Sequence, residues 1–161
     1  MKFYIKRDTS TDNSRYIVFS ETYEEVYRIS GKCSSSGEKL YISYNDKCVA
    51  KVRDTRIGLL RTCYVVLPDD SFHLVIANSR DKIKVKFHGV SLHIRGNLLE
   101  KSYDIMNVDN SVVACVCRRF SSMRDAIEIN INDRKYELLS IASAVCFDSV
   151  CTNDSLALQT I

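Results

Sequence analysis

The chain has 161 residues and a formal net charge of +3, with 45% hydrophobic and 27% charged residues. This length and composition are typical of one soluble globular domain with a core that needs no disulfide or metal staples, and they exclude collagen-like and disordered chains. The mild positive charge permits an anionic partner without requiring one. We therefore expect a single domain over residues 1–161.

Short strand-like segments follow one another from the first residues to about residue 131. In chain order they read KFYIK, RYIVFS, EVYRIS, KLYISY, VAKVR, TCYVVL, FHLVIAN, KIKVKF, SLHIR, YDIMNV, VVACVCRRF and AIEINI. Turn-forming clusters such as Asn45-Asp46, Pro68-Asp69-Asp70 and His88-Gly89 separate them. Regular spacing of this kind predicts about twelve short antiparallel strands in a sandwich or a barrel.

The alternation within the segments predicts which side chains share a face. In the hairpin from Cys63 to Ile76, we expect Val65, Leu67, Phe72 and Leu74 on one face. In KIKVKFHGVSLHIR, a two-residue turn at His88-Gly89 would pair Phe87 with Val90, Val85 with Leu92 and Ile83 with Ile94. The opposite face of this second hairpin would then carry a cationic row formed by Lys82, Lys84, Lys86, His93 and Arg95.

The last predicted element is an apolar helix over about residues 134–150, followed by a tail over residues 151–161. Its apolar residues surround the helix axis, and a helix that is apolar on every side must be enclosed. The run falls short of the roughly 20 apolar residues of a membrane span. From Arg134 to Val150 it would measure about 25 Å at ~1.5 Å per residue, which matches the length of a strand of the predicted barrel. We therefore expect a mainly β protein in which an antiparallel barrel encloses a C-terminal helix.

The seven cysteines contain no CxxC spacing, and the opening MKFYIKRDTS has no apolar signal region. This pattern favours reduced, metal-free thiols in a cytoplasmic protein. The pair Cys115 and Cys117 would lie too far apart along one strand for a good disulfide.

Five segments distributed over almost the whole length of the chain read MKFYIKR, RYIVFSETYEEVYRISG, LHIRGNLLEKSYDI, VVACVCRRFSSMRDAIEINI and RKYELLSIASAVCFDSV. They resemble the LURP-one-related family of the tubby C-terminal-like superfamily. The resemblance implies a twelve-stranded barrel around a central helix. This chain departs from the family pattern at Ser121-Ser122-Met123, where members often carry Trp-Gly. Relatives in the superfamily bind membrane phosphoinositides or act on phospholipids at membranes, but none of their lipid-binding positions can be matched to residues of this chain.

Two groups of basic residues are candidates for an anion or lipid site. The first is the cationic row Lys82, Lys84, Lys86, His93 and Arg95, and the second is Arg118 and Arg119 beside Phe120, with Arg124 nearby. Like charges opposite one another on a sheet are destabilising, and an anionic partner would relieve this cost. The alternative is that neighbouring acidic strands neutralise these cations, or that they only keep a sheet face in water.

Catalysis has little support in the sequence. GxSxG, HExxH and P-loop motifs are absent, and the three histidines have no evident nucleophile or carboxylate partner, so we expect neither a catalytic residue nor a cofactor. The leading hypothesis is a non-enzymatic module that binds anionic phospholipid or phosphoinositide at a membrane surface without spanning it. The alternative hypothesis is a protein-interaction scaffold with no small-molecule ligand. Nucleic acid is the weakest candidate partner, because the net charge is small and few aromatic residues accompany the basic row.

Overall fold

The computed structural model describes residues 1–34, 37–78, 82–118 and 125–159, with side chains described for all of these except 33–34 and 151–159. Within these residues the chain forms twelve strands, a short 3₁₀ turn and one α-helix. The elements are β1 (Lys2–Arg7), β2 (Ser14–Ser20), β3 (Glu25–Ser34), β4 (Gly37–Tyr44), β5 (Lys47–Ile57), β6 (Leu60–Val66), β7 (Ser71–Asn78), β8 (Ile83–His88), β9 (Leu92–Asn97), β10 (Ser102–Asn107), β11 (Val112–Arg118), β12 (Ile127–Ile131), the 3₁₀ turn (Arg134–Tyr136) and α1 (Glu137–Gln159).

The strands form one antiparallel sheet that curls into a nearly closed barrel. The spatial order runs from β8 down to β1 and then from β12 down to β9, so the β1–β12 pair joins the two ends of the strand sequence. Strands β8 and β9 are the two edges of the sheet. The predicted fold class, an antiparallel barrel of about twelve strands with a C-terminal helix, is confirmed.

The helix α1 fills the barrel. Every residue from Leu139 to Asp148 is buried, as is Val150, and these residues pack against inward side chains of the strands. The 3₁₀ turn begins at Arg134, where the helix was predicted to begin. The Asp133 side chain caps this turn by accepting a hydrogen bond from the backbone N–H of Lys135. The helix ends at Gln159 rather than at the predicted Val150. The apolar run that guided the prediction marks only the enclosed part, and residues 151–159 contain no Gly or Pro to stop the helix there.

The two hairpin predictions have different outcomes. The face predicted for the β6–β7 hairpin is confirmed, since Val65, Phe72 and Leu74 are buried and Leu67 is half-buried. Val65 lies opposite Phe72, and the backbone N–H of Leu67 donates to Asp70 O over 2.8 Å. The predicted pairing of β8 with β9 is wrong, because among the described residues β8 pairs only with β7, and β9 only with β10. A two-residue turn at His88-Gly89 would need a positive φ at His88, and only Gly89 has one, at 93°.

Because consecutive strands are antiparallel, successive connections lie at alternate ends of the barrel. The end that contains residues 8–13, 57–60 and 97–102 is named the Asp148 end, because Asp148 of α1 lies there against Arg7 and Lys101. The opposite end, which contains residues 21–24, 67–70, 108–111 and 132–136, is named the Asp133 end after the residue that caps the 3₁₀ turn.

Candidate functional site

The structure does not bring the predicted cationic row together as one row. Lys84 and Lys86 are exposed on β8, and Lys82 is exposed just before that strand. His93 and Arg95 are exposed on β9, but β9 does not pair with β8, and Arg95 Nη2 lies 2.8 Å from Asp104 Oδ2 on β10. The lysines of β8 therefore have to be considered with β7, their paired neighbour, rather than with β9.

The second predicted group is described only in part. Arg118 Nη2 lies 3.6 Å from Asp125 Oδ1, so part of its charge is offset by an exposed carboxylate. Arg119, Phe120 and Arg124 lie outside the described residues.

The outer face of strands β4 to β8 carries cationic side chains on β4, β5 and β8. We name it the cationic face, and it consists of Lys39, Lys51, Arg53, Lys84 and Lys86 with two histidines, His73 and His88, all of which are exposed. Lys39 lies opposite Arg53, and the same cross-strand row continues through Tyr64 and His73 to His88. The next row places Tyr41 opposite Lys51. The register of four consecutive strand pairs thus places side chains that are distant in sequence on a single surface.

This face carries no carboxylate from strands β4 to β8. The two acidic residues of these strands, Glu38 and Asp54, alternate with the outward positions and are held by other arginines. Arg15 Nε donates to Glu38 Oε1 over 3.0 Å, and Arg61 Nε donates to Asp54 Oδ1 over 2.9 Å. Within the described part of the chain, Lys39, Lys51, Arg53, Lys84 and Lys86 form no ion pair.

A shallow depression of about 270 Å³ lies within the cationic face. Its lining combines three cations with two tyrosines and apolar side chains: Lys39, Leu40, Tyr41, Lys51, Val52, Arg53, Tyr64 and Val66. The rings of Tyr64 and His73 contact each other with centroids 4.5 Å apart, which fixes one rim of the depression. A guanidinium with two ammonium groups suits a ligand with several anionic oxygens, because arginine binds phosphate through two parallel hydrogen bonds and lysine acts as a point charge.

Two larger depressions at the barrel ends are less suited to an anion. The one at the Asp148 end, about 390 Å³, includes Arg7 and Arg15 in its lining, but these cations already bind Asp148 and Glu38, and further carboxylates from residues 8 and 12 also line it. The one at the Asp133 end, about 550 Å³, combines Arg134, Lys135 and the carboxylate of Glu137 with a lining that is otherwise apolar and aromatic. The smaller depression on the cationic face therefore has the chemistry for an anionic ligand, although it is not the largest.

A buried ion cluster ties α1 to the barrel wall at the Asp148 end. Asp148 Oδ2 accepts hydrogen bonds from Arg7 Nη2 at 2.8 Å and from Tyr16 Oη at 3.0 Å, and Lys101 Nζ lies 2.5 Å from Asp148 Oδ1. Burial opposes ionisation of Asp148, but the hydrogen bond from Lys101 and the charges of Arg7 and Lys101 outweigh it, so the pKa of Asp148 is lowered. Burial and the Asp148 charge raise the pKa of Tyr16, which therefore stays protonated and donates its hydrogen bond.

This cluster was not predicted, although the sequence contains a signal for it. Asp148 is a carboxylate inside an otherwise apolar helix, and an enclosed charge requires partners. The partners could not be named from sequence, because Arg7 lies 141 residues away and Lys101 is on a loop between β9 and β10.

The described cysteines differ in their surroundings. Cys63 and Cys146 are buried, and a hydrogen bond with Cys63 together with burial raises the pKa of the Cys146 thiol well above its ordinary range. Cys48, Cys115 and Cys117 are exposed, and the hydrogen bond from Cys115 to Asp104 raises the pKa of Cys115 to about 11. Across the described ranges, no group of three or more His, Cys, Asp or Glu side chains could hold a metal ion.

In the part of the chain that the structure describes, no helix has the length and apolar character needed to cross a membrane. The helix α1 is enclosed by strands over its apolar part, as the burial of Ile141 and Val145 shows.

Two of three comparisons relate the chain to known proteins. A family model described as LURP-one-related matches residues 1–148. An X-ray structure of a protein from Arabidopsis thaliana superposes with a TM-score of 0.62 over 92% of this chain and 90% of that chain, at 14% sequence identity. At that identity the likeness concerns the fold alone. The chain matches no curated protein.

Proposed function

The chain belongs to the LURP-one-related family, and from this premise we propose that it is a single-domain, non-enzymatic module that binds anionic phospholipid head groups at a membrane surface. The observation that supports the proposal is the cationic face on strands β4 to β8. It keeps part of the predicted site, namely Lys84 and Lys86, and adds Lys39, Lys51 and Arg53 in place of the β9 residues.

The cationic face is costly to the free protein, which is an argument for a ligand. Lys39 and Arg53 are directly opposed on neighbouring strands, where side chains are about 4.5–5.5 Å apart at their Cβ atoms and like charges are destabilising. The carboxylates that could offset them, Glu38 and Asp54, are bound by Arg15 and Arg61. An anionic head group would supply the missing counter-charge.

The expected affinity is weak and salt-sensitive. Each Lys or Arg near an anionic membrane contributes about 1 kcal/mol. Lys39, Lys51, Arg53, Lys84 and Lys86 would therefore contribute about 5 kcal/mol, which corresponds to a dissociation constant of roughly 0.2 mM. Exposed charges are screened over about 8–10 Å at physiological salt, so binding should weaken steeply as salt is added.

The depression favours a head group that carries more than one phosphate. Lys39, Lys51 and Arg53 line it together, so one multiply phosphorylated head group could contact all three. A single-phosphate lipid would contact fewer of them. We therefore expect phosphoinositide vesicles to bind more tightly than phosphatidylserine vesicles of equal surface charge.

The test is vesicle flotation with a charge-matched control. The combined substitution Lys39→Gln, Lys51→Gln and Arg53→Gln should weaken binding to anionic vesicles and flatten its salt dependence. The control, Lys6→Gln, Lys47→Gln and Lys135→Gln, removes three exposed positive charges away from the depression and should bind nearly as wild type does. Equal binding by both triple variants, or no binding by the wild type, would reject the proposal.

The open edge of the sheet favours the protein-interaction scaffold as a second candidate. Edge strands offer backbone groups that an extended segment of another protein can pair with. On β8 and β9 the inward residues Val85 and Ile94 are only half-buried, so an added strand would cover further apolar surface. A Pro substitution at Val85 that leaves vesicle binding unchanged but abolishes capture of a protein partner would favour this candidate.

A further inference from the structure

The tip of the β5–β6 hairpin exposes three large apolar side chains. Ile57 is 81% exposed, Leu59 is 76% exposed and Leu60 is 49% exposed. They surround Gly58 at the end of β5, which has 11 residues. Neither the core nor the cationic face uses these side chains, and their exposure costs hydrophobic free energy in water.

The tip projects from the barrel instead of folding back onto it. Ile57 and Leu60 form the last pair of the β5–β6 ladder, and Gly58 has a positive φ of 61°, as a tight two-residue turn requires at its first central position. Among the described residues, no atom outside the chain neighbours of Gly58 lies within 4 Å of the point where a side chain at Gly58 would begin. The apolar tip is therefore a protrusion and not the wall of a groove.

The tip continues the cationic face. The outward row that begins with Ile57 and Leu60 runs through Ala77 to Lys84, and the adjacent outward row ends at Lys86. With strands about 4.8 Å apart, Ile57 and Lys84 are separated by about 14 Å. Ile57 also lies on the same side of β5 as the arginine at position 53. Apolar side chains at the end of a cationic surface match the two layers of an anionic membrane, in which phosphates lie outside and acyl chains inside.

One exposed apolar residue at the opposite end, Val108, lacks this charge context. Val108 is 71% exposed on the β10–β11 turn at the Asp133 end, where its neighbour Asp109 is acidic and no Lys or Arg lies between residues 107 and 111. Apolar exposure by itself is therefore not the distinguishing property. The combination with a cationic surface occurs at the β5–β6 tip.

We propose that Ile57, Leu59 and Leu60 insert into the interfacial layer of an anionic bilayer while the cationic face contacts its phosphates. This deepens the proposed function and rests on it. It assigns the β5–β6 tip and the adjoining part of the cationic face to the membrane side and gives the domain one orientation on the surface. A protrusion of three side chains suits a lipid surface better than a protein pocket, because a fluid bilayer needs no complementary shape.

The natural absence of tryptophan allows a direct test. Leu59→Trp and the control Val108→Trp each place a single indole fluorophore in the full chain, at opposite ends of the barrel. With mixed phosphatidylcholine and phosphatidylserine vesicles, the fluorescence of the Leu59→Trp variant should shift to the blue and be quenched by brominated lipids. The fluorescence of the Val108→Trp variant should keep its wavelength and remain unquenched. Quenching in both variants, or in neither while the protein is bound, would overturn the proposed insertion.

A second pair of variants separates insertion from charge-driven binding. Ile57→Ser combined with Leu59→Ser should weaken vesicle binding about tenfold or more with an unchanged salt dependence, because apolar burial is lost and the charges remain. If wild-type protein fails to float with anionic vesicles, the proposed function itself fails. If it floats and the serine variant floats equally well, only the insertion fails. The fluorescence of the Leu59→Trp variant could instead shift to the blue without vesicles, by an amount that grows with protein concentration. That result would show that the tip contacts a second copy of the chain, and it would reject insertion into a membrane.

Discussion

Asp148 gives the sharpest stability prediction, because it is a buried charged residue that binds α1 to the barrel wall. Its side chain is 2% exposed, and it contacts Arg7, Tyr16 and Lys101. Asp148→Asn keeps the size of the side chain and most of its hydrogen-bonding capacity but removes the negative charge. Arg7 and Lys101 would then face each other across a buried amide without a counter-charge.

The expected cost is about 3 kcal/mol in the free energy of unfolding. Breaking a buried pair from one side typically costs about 3–5 kcal/mol. The low end applies because Arg7, whose side chain is 43% exposed, can turn toward water. With a shift in melting temperature of about 2–4 °C per kcal/mol for a domain of this size, the variant should melt about 6–12 °C lower.

The pH dependence follows from the lowered pKa of Asp148. A carboxylate with a lower pKa in the folded state than in the unfolded state stabilises the fold above its ordinary pKa, here 3.8. That contribution is lost as the pH falls through the lowered pKa. The stability difference between wild type and Asp148→Asn should therefore be constant near neutral pH and narrow below about pH 4.

Urea unfolding followed by circular dichroism measures this difference, with Asp125→Asn as the control. Asp125 is 85% exposed, so its neutralisation should change stability by less than about 0.5 kcal/mol. A variant Asp148→Asn as stable as wild type at pH 7 would show that the cluster does not hold the helix in place, and the structural role assigned to it would be refuted.

Three further predictions concern the core, the thiols and the cationic face. Ala142→Arg should abolish cooperative unfolding, because position 142 is fully buried inside the barrel and an unpaired charge there costs several kcal/mol against a total of about 5–15; a cooperative melt would contradict an enclosed helix. All cysteines should be reduced and metal-free by native mass measurement, and in thiol titration Cys63 and Cys146 should react only after unfolding, while Cys115 should react slowly at pH 7 because its pKa is about 11. The triple glutamine variant of the cationic face should be as stable as wild type or more stable by about 0.2–1 kcal/mol, since it removes a like-charge cross-strand pair; a loss of more than about 1 kcal/mol in urea unfolding would mean that these side chains support the fold.

The faces of the strands and the role of the helix could be predicted from sequence, because both depend on local periodicity. Alternation placed Lys84 outward and Phe87 inward, and the all-round apolar pattern placed Ile141 inside the barrel. The site was predicted only in part. Sequence alternation says which residues share a side of a strand, but the surface itself depends on the pairing of β4 through β8, and a single hairpin contains only one of those pairings.

The turn at His88-Gly89 shows why the strand pairing of β8 could not be predicted from the sequence. The pairing of β8 with β9 depended on whether His88 would adopt a positive φ, and a histidine does so only at a cost that a favourable register must offset. Gly89 alone has the positive φ, and β8 and β9 are the edges of the sheet. The local pattern of Ile83, Val85 and Leu92 is compatible both with a β8–β9 hairpin and with β8 and β9 as separate edges of the sheet. β1 and β12, the first and last strands along the chain, also pair with each other, and no local signal encodes that pairing.

The distribution of charge between the inside and the outside of the barrel is the strongest reason to assign binding to the cationic face. The charged residues that stabilise the fold form close ion pairs, such as Asp148 with Arg7 and Asp54 with Arg61. Both carboxylates are buried, and the two pairs fix α1 or β5 to their neighbours. On the outer face of β4 to β8 the same strands present Lys39 and Arg53 side by side and keep every carboxylate of these strands away from them. A surface arranged only for solubility would mix both signs, since interspersed charges stabilise by about the same few tenths of a kcal/mol that opposed like charges cost. The segregation of charge is unfavourable to the isolated barrel, and an anionic surface as the proposed partner would make it favourable.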